Sequence, residues 1–207
     1  MEPVQAATVL GWGEILKIVL ASGVVAALIG ILKDVFLKRR ERKQDALFAA
    51  IGLVAKLDLY ALQSRARLWD YDERTAELNP HQHDQNWPTC TYPDLEISDD
   101  ALKHLSLEHA SDLAWISTEK AIAGQYLSIV DEVSFDPTEV HARKAEVVGY
   151  FGYEAFLLAR KLRTAYGLPS FGQRWGVHED FPDLLRAWKK TKNEVARHAQ
   201  PLTADDI

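Results

Sequence analysis

A single cysteine, Cys90, among 207 residues rules out any disulfide within the chain and fits a reducing compartment. No segment alternates apolar and polar residues at period two, so no half-buried strand is predicted. No self-similarity at a fixed period of about 20–50 residues is visible, which removes solenoids and propellers. The chain has no phosphate-binding glycine loop, no dinucleotide fingerprint and no Gly-x-Ser-x-Gly nucleophile elbow. His178-Glu179 is followed by Asp180-Phe181-Pro182, so it is not the zinc-protease helix motif. No Glu-x-x-His pair exists to build a di-iron bundle. No metal or cofactor is therefore expected.

Basic residues are scarce outside one region. Residues 1–43 hold seven Lys and Arg against four Asp and Glu, a net of +3. The remainder holds 17 against 26, a net of −9. Such an acidic part lacks the positive field that nucleic-acid affinity needs, so nucleic acid is not expected as a partner.

What the chain does have is an apolar stretch over 15–37 followed at once by Lys38, Arg39, Arg40, Arg42 and Lys43. Its uncharged core, 18–32, is fifteen residues long. A span needs roughly 20 residues at 1.5 Å each. Counting from Trp12 to Leu37 supplies that length if Lys17 and Lys33 snorkel towards the headgroups. A cleaved signal peptide would carry its positive charge before the apolar run, whereas here the charge follows it. A buried or interfacial helix is the other reading. The expectation is a transmembrane anchor within 1–37 and a basic stop at 38–43. That stop would hold the C-terminal side in the cytoplasm, with the chain in the inner membrane and the bilayer as its first partner. Ser22, Ala26 and Gly30 are four apart, as are Gly23 and Ala27, which suits close packing against another span.

Residues 44–207 are long enough for one domain. Apolar residues recur at helical spacing over 44–78, 98–133, 137–166 and 180–199. Ser98 and Asp136 are candidate N-caps, with Pro137 at a first helical position. Gly167-Leu168-Pro169 has helix-stop chemistry. The fold class expected is all-α: an N-terminal single transmembrane helix followed by a cytoplasmic four-helix up-and-down bundle. Residues 79–97 are expected to form an ordered loop held by Trp87 and Tyr92. Phe171, Trp175, Phe181 and Trp188 are expected to plug the end of the core. Phe181, Leu184, Leu185, Trp188 and Val195 are expected to form the inner face of the last helix.

Few residues offer chemistry. His81 and His83 lie near Cys90, but four-ligand zinc spacing is missing. His109 falls on an apolar stripe and is expected to be a core histidine. The run Lys192-Asn193-Glu194-Val195-Ala196-Arg197-His198 resembles the Arg-Asn-x4-His motif of the HEPN ribonucleases, which are helical and usually dimeric. The resemblance covers these seven residues and the broad helical architecture. It implies that Lys192, Asn193 and His198 act on an RNA phosphodiester, with Lys192 where the family has arginine. Lysine lacks the planar two-donor grip of arginine on phosphate. Read without the family, the run is a charged helix end suited to the negative C-terminal dipole. The function expected is a membrane-anchored helical interaction or scaffold module without a catalytic site. It would act by binding a protein partner or by self-association. A membrane-tethered HEPN-like ribonuclease and a membrane-acting effector are the alternatives.

Overall fold

The structure is a computed structural model that describes residues 11–13, 17, 24–78, 87–134, 136–176 and 180–198. Among these residues every regular element is a helix and none is a strand. The chain is all-α. Contacts along it divide it into two units, Met1–Asp45 and Ala46–Ile207.

Helix α1 (Val24–Ala76) passes through the basic run 38–43 without a break. No proline or helix-stopping glycine interrupts it, and Leu, Ala, Lys, Arg and Glu are good helix formers. In the first unit its large apolar side chains are open. Leu28, Ile29, Ile31, Leu32, Val35, Phe36 and Leu37 are 43–69% exposed. Among the described residues no helix is long and apolar enough to cross a membrane.

The second unit is a helical bundle built round α4 (Pro137–Tyr166). Asp136 caps this helix through Oδ1, which accepts from the Thr138 amide at 2.8 Å. Gly167 ends it in the left-handed region at φ 64°, and the Leu168 amide donates to the Arg163 carbonyl at 3.0 Å. Phe151, Ala155, Ala159 and Leu162 pack on Leu53, Leu57 and Tyr60 of α1 and on Leu113 and Ile116 of α3 (Leu107–Val133). Val148 and Phe156 join Ala61, Leu68 and Cys90 with Phe181, Leu184 and Ala187 in a second cluster. The last two belong to α5 (Pro182–His198).

One helix expected over 98–133 is two. Helix α2 (Asp99–Lys103) stops at His104, and Ser106 caps α3, its hydroxyl accepting from the His109 amide. Serine competes with the helix for that amide, while Leu102 and Leu105 stay packed on the core across the break.

The strap before α2 is described from Trp87 on, and residues 79–86 of the expected loop lie outside the described residues. Pro93 and Cys90 are buried. Arg67 Nη1 donates to the Thr91 and Tyr92 carbonyls at 2.8 and 2.6 Å, and Tyr92 meets Phe151 edge-on. Phe181 enters α5 at φ 48°, a conformation unfavourable for a bulky residue. Its ring is fully buried against Phe156 and Phe171, at centroid distances of 5.0 and 5.3 Å. That burial holds the backbone in place.

Candidate functional site

Among the described residues, those singled out from the sequence do not assemble into a centre. Lys192 and Asn193 are exposed on α5, and the Lys192 ammonium lies 4.3 Å from the Trp188 ring centroid. Glu194, between them and the helix end, bonds to Arg143, which also meets Glu146 at 3.2 Å. His198 is the last residue of α5, and its side chain lies outside the described residues. Ser22, Gly23, His81 and His83 also lie outside them, as does the side chain of Ala26. Ala27 and Gly30 are exposed, and a Cβ on Gly30 would meet nothing within 4 Å. Lys38, Arg39, Arg40, Arg42 and Lys43 are all exposed on α1.

Cys90 is 2% exposed, and burial pushes its thiol up to about 11, so it is a packed thiol rather than a nucleophile. His109, expected in the core, sits half-buried at its edge. Its Nδ1 lies 2.7 Å from Ser106 Oγ, and its ring tilts on Tyr166. No group of side chains among the described residues could hold a metal ion. The aromatic plug is incomplete: Phe181 is buried, but Trp175 is 88% exposed. Trp188 is half-buried and donates from Nε1 to Glu154 at 2.6 Å.

What the structure does assemble is a surface on α3. Leu113, Ile116 and Leu127 point into the core. A second stripe, Trp115, Ile122, Ile129 and Val133, is 57–70% exposed. The first three are seven residues apart, the spacing of a helix–helix seam. At about 100° per residue, Ser111, Ala114, Thr118, Ala121 and Gln125 fall beside them. These are small or uncharged side chains over which another helix could lie close. Next to the stripe is an apolar groove of about 350 Å³, lined by Ile122, Tyr126, Val147, Tyr150, Thr191 and Val195. Val195, expected on the inner face of the last helix, is 55% exposed because α5 runs past the core there and lines this groove instead.

The rim of this surface is acidic. Glu119 lines the groove, and its carboxyl is raised by burial and then by the nearby Glu154. Glu108 and Asp112 share Lys161 at 2.6 and 2.7 Å, leaving that trio one negative charge in excess. Glu119 and Glu132 have no ion pair among the described residues. The seven-residue spacing of Trp115, Ile122 and Ile129 is readable in the sequence, but the core stripe on the same helix masks it. The exposure of the stripe was not readable at all.

A second polar centre lies at the other end of α4. Arg163, 8% exposed, bonds through Nη2 to Oδ2 of Asp58 on α1. Arg163 Nη1 and Asp58 Oδ1 are buried without a partner. Burial raises the Asp58 carboxyl, and the bond and charge of Arg163 oppose that shift.

The chain matches no family model, no characterised protein and no solved structure.

Proposed function

We propose that this chain is a membrane-anchored helical interaction module that binds a protein partner through the outer face of α3. The partner presents an amphipathic helix with lysine or arginine beside its apolar stripe. The observation that carries this reading is the exposed row Trp115–Ile122–Ile129, set at helix-pairing distance beside an apolar groove. Four large apolar side chains on one helix face form a patch of the kind that marks an interaction site.

Charge selects the partner. A second copy would bring the acidic rim of this face, with Glu119 and Glu132 unpaired among the described residues, against an equally acidic rim. Each like-charge opposition costs only a few tenths of a kcal/mol, but a basic helix reverses the sign of every one. A cationic partner also relieves Glu119 of the charge it holds next to Glu154. The anchor belongs to the same reading. Seven large apolar side chains exposed between Leu28 and Leu37 need lipid or protein around them, and the basic run after them would keep the bundle on the cytoplasmic side of the inner membrane.

A photo-crosslinking residue at Ile122 of the full chain in membranes tests this. The expected product is a conjugate with a different polypeptide, mapped to a Lys/Arg-rich helical segment and lost in Trp115→Ser/Ile129→Ser. A conjugate of twice the chain's own mass would mean self-association and overturn the heterologous partner. No product at position 122 would overturn the surface itself.

A further inference from the structure

The end of α4 and the loop after it line an open cavity of about 280 Å³, separate from the α3 surface. Its walls include Phe156, Arg160, Arg163, Thr164, Phe171 and Asp180. Phe156, Arg160, Arg163 and Thr164 follow one another at helical spacing on one face of α4. Phe156 and Phe171 meet edge-on at 90°, with centroids 6.3 Å apart, and form an apolar corner. The Arg160 guanidinium rests 5.9 Å from the Phe156 ring centroid.

Arg163 is committed to Asp58. Arg160 and Asp180 are both exposed, and neither forms an ion pair with the other or with any described residue. One small site thus offers a cation and an anion that are unpaired among the described residues, beside two aromatic rings.

We propose that this cavity binds a free amino acid with an apolar side chain. Arg160 takes the α-carboxylate, for which a guanidinium fork is well shaped. Asp180 takes the α-ammonium. The side chain lies in the corner of Phe156 and Phe171. A phosphate dianion fits less well, because the charge of Arg163 is paired with Asp58 and its remaining donor, Nη1, is buried out of reach. A plain carboxylate would leave Asp180 beside a new negative charge. The volume lies just below the usual range for ligand pockets, about 300 to 1,000 Å³, which suits a small ligand and excludes dinucleotide-sized ones.

Titration calorimetry on the full chain in mild detergent tests this with L-phenylalanine, 3-phenylpropionate and phenethylamine. L-phenylalanine is expected to bind saturably, and each half-analogue to bind about tenfold more weakly. Arg160→Ala is expected to abolish the preference for L-phenylalanine over phenethylamine. Asp180→Ala is expected to abolish its preference over 3-phenylpropionate. Both residues are exposed, so both variants keep the core, and an unchanged unfolding midpoint confirms it. No saturable binding of L-phenylalanine at millimolar concentration overturns the proposal. So does equal binding of all three probes, or a preference that survives in both variants.

Discussion

A Cβ placed on Gly152 would lie 2.5 Å from the Cβ of Ser64, a distance real side chains do not adopt. Three residues earlier, a Cβ on Gly149 would lie 2.6 Å from that of Ala187. Helix α4 therefore touches α1 and α5 almost backbone to backbone, at a crossing made of Ser64, Gly149, Gly152 and Ala187. Glycine usually weakens a helix interior by about 1 kcal/mol relative to alanine. Here that cost is offset by close packing of two helices on a third.

Gly152→Ala should therefore destabilise the bundle by about 1–3 kcal/mol, against the ordinary helix preference for alanine. Ser64→Gly in the same chain should recover part of the loss by removing the opposing Cβ, because contacting residues are energetically coupled. Chemical denaturation of the single and double variants measures this. A stabilised Gly152→Ala protein would disprove the close crossing.

Asp58→Ala should be among the most damaging single changes, at about 3–5 kcal/mol, because it leaves the Arg163 guanidinium buried without its counter-charge. Asp58→Leu combined with Arg163→Met should be milder than Asp58→Ala, since neither charge is then buried alone. Urea unfolding midpoints of the variants decide it.

Glu119 should give the bundle a pH dependence of known sign. Its folded carboxyl is raised above the ordinary 4.5 by burial and by Glu154. The folded state then holds the proton more tightly than the unfolded one. The resulting stabilisation is complete below about 4.5 and is lost as pH rises through the raised folded value. Glu119→Gln should match the parent below that value and be more stable at neutral pH. Unfolding curves across the two pH ranges check the crossover, and a variant less stable at neutral pH would contradict it.

Changing Lys38, Arg39, Arg40, Arg42 and Lys43 to acidic residues should weaken or invert the orientation proposed for the anchor. Fusion reporters on the C-terminal side read this directly. An unchanged cytoplasmic signal would remove the orientation argument.

Local chemistry was legible in the sequence alone. The all-α class follows from spacing. Ser98 and Asp136 as N-caps and Gly167 as the left-handed stop follow from side chains that satisfy, or backbones that permit, the ends of a helix within three or four residues. Other features depended on distant partners, so only the tertiary structure decided them. Ser106 breaks an apparently continuous helix while Leu102 and Leu105 keep packing across the break. Phe181 holds a positive φ because rings from α4 and the following loop bury its side chain. Trp115, Ile122 and Ile129 look as core-like as Leu113, Ile116 and Leu127 until the neighbours of α3 are in place. A helix's own periodicity says which residues share a face. Which face is covered depends on where the other helices run, and that is a property of the assembled bundle.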